Sequence, residues 1–433
     1  MMERPVVRVG VIGGGFVGTA LVQLLLDPTR HAAIVDGATA PLELVGVAVR
    51  DTSKPHPGIE AALLTSDVDG LLSSDLDVLV EVAGGIEPVR TYVETALKLG
   101  VSVVTANKAL IAESGTELAQ LAHVNGADLF YEAAVGGAIP ILRALRSSLA
   151  GERINRVMGI VNGTTNYILT KMTSEGSDYA SALAEAQALG YAEADPSADV
   201  EGFDVAAKVQ ILSTLAFGTR LSGDEVAREG ITGIRAVDVE YALRSGYVIK
   251  MLGVAERVGD TGVSRRAHPA MVPARHPLAS VNGPMNAVFV EGVKSGPLMW
   301  LGQGAGGEPT ATAVLGDVLD AARNRVSGRH DVPFSGDTSL HYVPAGELSS
   351  VFYLSIDVLD RPGVLSDVAG IFGRHDVSIR SMDQSGFGDE ARLSFLTHRA
   401  LSSDVFATVE ELKASASVES VGACIRVIDG VFE

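Results

Sequence analysis

The 433-residue chain has a single cysteine and fewer basic than acidic residues, and each shortage narrows what it can do. Its one cysteine, Cys424, cannot close an internal disulfide, and the apolar run VGACIRVID around it reads as a buried structural thiol in a reducing compartment. Lys and Arg total 34 against 53 Asp and Glu, which leaves a formal net charge of -19 and no basic cluster. Such a chain suits neither nucleic acid nor an anionic membrane surface, so small solutes are the expected partners. No uncharged apolar run approaches the roughly 20 residues that a membrane helix requires. The opening MMERPVVRVGVIGGG lacks the ordered basic, apolar and small-residue segments of a secretory signal, and a cytoplasmic location is expected. Nine histidines show no H-x-x-x-H or paired Cys/His spacing, and no G-x-S-x-G occurs, which argues against a transition-metal site and a hydrolase.

What is present points to two or three folded domains, given the length and a hydrophobic content of 47%. From residue 6 to 110, short β-branched runs (VVRVGVI, LELVGVAVR, DVLVEVAG, VSVVTANK) alternate with helical ones, the pattern of a parallel sheet wrapped by helices. Residues 136–306 read as a longer α+β unit, with helices at YASALAEAQALG and DVAAKVQILSTLAFG and strands at RVMGIVNG and AVFVEGV. PTATAVLGDVLDAARN, within 307–330, reads as one helix that can return to the first domain, 1–135. HDVPFSGDTSLHYVPAGE reads as a linker. Beyond it, 346–433 has the order strand, helix, strand, strand, helix, strand of a ferredoxin-like module.

VIGGGFVG places Gly13, Gly15 and Gly18 as G-x-G-x-x-G after a strand and at a helix start, the Rossmann arrangement in which backbone and helix N-terminus meet a pyrophosphate. At the end of the second strand Arg50 suits a 2′-phosphate, while Asp51 keeps a ribose 2′-hydroxyl open; Asp36, at the usual spacing, reads as a solvated loop residue. TANKAL puts Lys108 near the carboxyl edge of the sheet, as a ligand contact or as a surface lysine. EAAVGGAIPILRAL bends sharply, and its carbonyls need water, a side chain or a hard cation unless it is a plain connecting turn. VNGTTNYIL suits a capped helix or a substrate loop equally, and GQGAGGEPTA suits a ligand or a hinge. In EADPSADVEGFDVAAK, Asp204 and Lys208 stand four apart on one helix face, while Glu193, Asp195 and Asp199 precede them in a Pro-containing loop. An ordinary surface pair is the plain reading; an amino-group and proton site is the functional one.

AQALGYAEADPSADVEGFDVAAK, with Ala186, Gly190, Asp195-Pro196, Asp199, Gly202, Asp204 and Lys208 in ungapped register, resembles the signature of the homoserine dehydrogenase family. VIGGGFVG, TANKAL, EAAVGGAIPIL, NGTTNYIL and GQGAGGEPTA resemble further family blocks in order, so the likeness spans essentially the whole chain. DVLDRPGVLSDVAGIFGRHDVSI resembles an ACT domain. The resemblance implies NAD(P)-dependent interconversion of L-aspartate 4-semialdehyde and L-homoserine, by a monofunctional enzyme of the threonine, methionine and isoleucine pathways. It implies Lys208 as general acid/base, Lys108 as a second lysine near the reacting oxygen, and Glu193 and Asp204 as substrate contacts assisted by Asp199. NADP or NAD would meet Gly13, Gly14, Gly15, Phe16, Val17, Gly18, Arg50, Thr105, Lys108, Gly190, Glu193 and Gly306. Glu132, Val135, Gly137 and Ile139 would hold Na+ or K+. The middle domain would carry the dimer contacts, giving a homodimer or homotetramer, and the ACT domain would bind L-threonine as effector. A hydroxy-acid dehydrogenase would need a catalytic histidine with an acid and an arginine, for which no convincing set is found. A catalytically silent ACT-containing amino-acid sensor is the other alternative, against which Lys208, Asp204 and Lys108 are all retained.

Overall fold

The structure, a computed structural model, describes residues 5–218, 226–331, 340–387 and 390–428; residues 332–339 of the expected linker lie outside these. The chain forms two compact units. The first comprises Met1–Ile154, Gln210–Gly223 and Gly292–Thr338, and the second Asn155–Val209, Asp224–Glu291 and Ser339–Glu433.

In the first unit a parallel sheet runs in the order Leu64–Thr65, Leu42–Ala48, Val7–Ile12, Val78–Glu81, Ser102–Thr105, Leu129–Phe130. Its central strands are near-continuous valine runs because helices cover both faces; Val9, Val11, Val47, Val78, Val80 and Val104 are wholly buried. The expected return helix is Gly307–Ser327, and its Ala311, Val314, Val318, Ala321 and Ala322 enter the core of this sheet. Strand order reverses on either side of Val7–Ile12, so the loop after that strand opens at the switch point where such sheets take ligands. Asp36, expected in a loop, is instead on the helix His31–Ala38, with its side chain exposed.

The second unit is built on a sheet in the order Met285–Gly292, Ile154–Ile160, Tyr247–Val258, Gly262–Pro273, Val418–Val427, Ser349–Leu359, Glu390–Thr397, Ile379–Phe387. The last four strands, with helices Val364–Arg374 and Ser402–Ala414, form the expected ferredoxin-like module. Its terminal strand pairs with Gly262–Pro273 through Ala270 and Met271, opposite Arg426 and Val427, so one sheet runs through both parts of the unit. Alternation along Ser349–Leu359 divides its side chains between two partners. Phe352, Leu354, Ile356 and Val358 enter the core under the module's own helices. Tyr353, Ser355 and Asp357 turn the other way, onto the helix Ala236–Arg244 and its first-turn neighbour Arg235. Cys424 packs against the module's core, and burial pushes its thiol up to about 12. Among the described residues no helix is long and apolar enough to cross a membrane.

Candidate active site

The glycines of the first unit's loop are required by close approach. Gly13 has φ +113°, and a Cβ there would sit 2.8 Å from the Val82 carbonyl and the Ala83 nitrogen; a Cβ on Gly18 would overlap the Gly13 carbonyl. Gly14 is closed in by Val49 and His56, whose ring nitrogens lie 3.2 Å from the carbonyls of Gly14 and Asp51. Gly15 faces open space and caps the helix Phe16–Leu26 without a side chain, so the first N–H groups of that helix point outward, fit to meet an anion. Phe16 is 92% exposed and Val17 half-buried. A Cβ on Gly307 would lie 3.0 Å from the Phe16 carbonyl, so the loop of Gly306 stands beside the loop of Gly15, a second uncapped helix start. Arg50 is exposed just past the second strand, and the Asp51 carboxylate accepts from the backbone N–H (3.0 Å) and hydroxyl (2.6 Å) of Ser53, bonds that lower its pKa.

At the end of Ser102–Thr105, the Thr105 hydroxyl is buried and donates to Glu81 at 2.6 Å, while accepting from the Asn107 N–H at 3.0 Å. The buried Glu81 carboxylate also accepts from the N–H groups of Ala83 and Gly84. Asn107 then caps the helix Lys108–Val124 by accepting from Leu110, which sets Lys108 at the first helical position with its side chain exposed. Sequence reading named Thr105 and Lys108 as candidates but not Glu81, whose partners lie up to 24 residues away.

The turn of Glu132, Val135, Gly137 and Ile139 is buried in the same unit. Gly136 (φ +77°) and Gly137 (φ +57°) are left-handed, and a Cβ on Gly137 would sit 2.7 Å from the Gly304 carbonyl. The Glu132 carboxylate accepts from the backbone N–H groups of Leu142 (2.8 Å) and Arg143 (2.7 Å), and burial raises its pKa despite them. Its own N–H donates to Asp317 at 2.8 Å, and Arg143 pairs with Asp317 at 3.0 Å.

In the second unit the helix Phe203–Phe217 carries Asp204 and Lys208, both buried. The Lys208 ammonium donates to Asp204 Oδ2 at 2.7 Å and to the Val161 carbonyl at 2.6 Å. Asn162 donates to the same Asp204 oxygen at 3.0 Å and to Asp199 at 2.6 Å. The pair is therefore no solvated surface bridge: it is pinned by the segment that ends the strand Ile154–Ile160. In VNGTTNYIL, Asn162 caps the helix Gly163–Glu175 by accepting from the Thr165 N–H at 2.8 Å. Thr164 reaches the Tyr191 carbonyl at 2.6 Å, which ties this segment to the exposed loop of Gly190 and Glu193. Asp195 only caps its own turn, through Ser197.

A dinucleotide-type sheet with an anion-ready glycine loop, together with a buried ammonium–carboxylate pair, defines the class of nicotinamide-dependent oxidoreductases. Residues 13–132 match the family model described as homoserine dehydrogenase, NAD binding domain, residues 140–319 that of homoserine dehydrogenase, and residues 352–416 that of the ACT domain. The chain is 49% identical to the homoserine dehydrogenase of Corynebacterium glutamicum over 97% of its length and 95% of that protein's. Identity to the Mycobacterium tuberculosis homoserine dehydrogenase is 48%, covering 98% of each. A solved homoserine dehydrogenase structure from Thiobacillus denitrificans is 37% identical and superposes with a TM-score of 0.92, covering 99% of this chain and 100% of that one. A hyperthermophilic archaeal homoserine dehydrogenase solved in complex with NADPH, 28% identical, gives a TM-score of 0.62 over 73% of this chain and 98% of its own. The chain belongs to the homoserine dehydrogenase family, oxidoreductases that act on a CH–OH group.

Proposed function

We propose that the chain interconverts L-aspartate 4-semialdehyde and L-homoserine with NADP as its preferred coenzyme, and that Lys208 moves the proton at the reacting oxygen. The observation that carries this is the buried Lys208–Asp204 pair at 2.7 Å, pinned from the strand side by Val161 and Asn162. When bound, the nicotinamide supplies or accepts the hydride at the oxygen-bearing carbon. As charge grows on the aldehyde oxygen, the Lys208 ammonium, with two N–H groups on Val161 and Asp204, directs its third at that oxygen and then yields the proton. In the oxidation direction a neutral amine must accept the proton. Lys108 adds a second positive charge for the oxygen, Glu193 and Asp204 take the substrate ammonium, and Asp199 assists.

Gly13, Gly14, Gly15, Phe16, Val17 and Gly18 cradle the coenzyme with Arg50, Thr105, Lys108, Gly190, Glu193 and Gly306. The preference for NADP is supported by the exposed Arg50 and by the engagement of Asp51 with Ser53, which leaves arginine the better partner for the ribose substituent. Na+ or K+ would be held by Glu132, Val135, Gly137 and Ile139, whose hard oxygen donors fit such an ion and whose turn it would order. The ACT domain takes L-threonine as effector, and the assembly is a homodimer or homotetramer located in the cytoplasm. Lys208→Ala tests the central assignment: turnover with homoserine should fall by about 100-fold or more, with NADPH binding, read by fluorescence, retained. Survival of turnover would remove Lys208 from this role.

A further inference from the structure

We infer that Asn162 is a positioning residue for proton transfer, the link that aims both carboxylates and, through Asp204, the lysine. The inference rests on the assignment of Lys208 as acid/base. Asn162 is 5% exposed. Its amide oxygen accepts from the Thr165 N–H (2.8 Å) and hydroxyl (3.0 Å), so the orientation of the amide is determined and its NH2 group must face the acids. That group donates to Asp199 at 2.6 Å and Asp204 at 3.0 Å, while the preceding carbonyl, Val161, accepts from Lys208 at 2.6 Å. Two adjacent residues thus hold both ends of the ion pair: one the ammonium, the other its carboxylate. An i,i+4 pair on a helix leaves a lysine several rotatable bonds, and these extra points of attachment select one direction for the ammonium. Asn162 also supplies the donor between Asp199 and Asp204, two carboxylates that converge on one nitrogen.

Asn162→Asp separates this role from helix capping, because an ionised aspartate caps equally well and keeps the side-chain shape but has no N–H to donate. The Lys208 ammonium is bound by Asp204 on its own helix, and Asn162 links that carboxylate to Asp199. Without the amide, neither Asp199 nor Asp204 keeps the donor that fixes its orientation. The variant should keep NADPH affinity and the KM for homoserine within about twofold while losing at least ~10-fold in kcat in both directions. Asn162→Ser, which also caps, gives the same readouts if the aspartate variant does not fold. A kcat within twofold of the parent in either folded variant, or a loss carried by KM rather than kcat, would overturn the inference. Lys208→Ala run alongside distinguishes the two ideas: if it retains turnover, the underlying assignment fails; if it is inactive while the Asn162 variants behave as the parent, only the role of Asn162 fails.

Discussion

Lys250 lies on the strand Tyr247–Val258, 2% exposed, and each of its three N–H groups has an acceptor: the Val281 carbonyl at 2.6 Å and the side-chain oxygens of Asn166 and Asn282, both at 3.2 Å. Burial lowers its pKa from 10.5 to about 8, because the lost water is replaced by neutral acceptors. Between those values the unfolded chain holds the proton more tightly, so this group's contribution to stability is complete above the unfolded value and is lost as pH falls through about 8. The full swing is about 3 kcal/mol at 1.36 kcal/mol per pH unit. Lys250→Met should flatten the rise in stability expected between pH 8 and 10 for the parent, read by urea titration, while costing roughly 1–3 kcal/mol at the upper pH for the acceptors it deprives. Arg50 gives a second prediction at this scale: Arg50→Ala should raise the KM for NADPH by roughly 10-fold, the worth of a charge-assisted contact, with little change for NADH. Equal effects on both coenzymes would count against a phosphate contact. The same scale shows what a linear reading misses. Asp204 and Lys208 were legible because helical spacing brings them together; Asn162 was not, because its partners stand 37 and 42 residues away.

The helix Ala236–Arg244 and the strand Ser349–Leu359 meet through a buried carboxylate. Asp238 is wholly buried and accepts from Tyr353 (2.9 Å), Ser355 (2.9 Å) and the Arg235 N–H (2.9 Å). Arg235 in turn donates to Asp357 at 2.7 Å, and Tyr241 packs on Tyr353 with ring centroids 4.7 Å apart. Asp238→Ala leaves three donors facing one another without an acceptor, and should cost about 3 kcal/mol by calorimetry or denaturant titration; a loss under 1 kcal/mol would show the contact to be solvated. At the level of elements, the parallel sheet and the ferredoxin-like order were readable because valine runs, glycine turns and amphipathic helices each carry a distinct period. The hairpin of Tyr247–Val258 with Gly262–Pro273 was not among the elements expected. Gly262–Pro273 is buried at nearly every position and so has no alternation, it contains Pro269 opposite Met251, and it carries the buried Arg265, Arg266 and His268. Proline and buried charge both argue locally against a central strand. They are accommodated by tertiary partners: Arg266 pairs with Glu256 at 2.7 Å, and burial beside Arg426 and Arg266 holds the imidazole of His268 neutral, far below its ordinary value.

At the scale of the second unit, the ACT module is joined to the catalytic strands by more than chain connectivity. The sheet is continuous at Ala270 and Arg426, and Arg426 pairs with Glu229. The neighbouring Arg228 lies over the Phe203 ring, 3.3 Å from its centroid, one residue before Asp204. Saturating L-threonine should raise the melting temperature, as any ligand selective for the folded state does, and should change the rate of homoserine oxidation. An unchanged melting curve together with an unchanged rate would remove threonine as the effector.

The sequence by itself determined the elements whose signals are local: the glycine loop after the first strand, the return helix, the ferredoxin-like order and the i,i+4 pair of Asp204 and Lys208. Those follow from backbone sterics and from periods of two and 3.6 residues, which neighbouring positions suffice to set. Only the tertiary structure decided that the Lys208 pair is buried and pinned by Val161 and Asn162, that Glu81 supports the turn before Lys108, and that a strand with Pro269 and three buried cationic-type side chains runs through the middle of the second sheet. Each of these depends on desolvation and on partners distant in the chain, and the cost of burying a polar group is settled only by what it meets there.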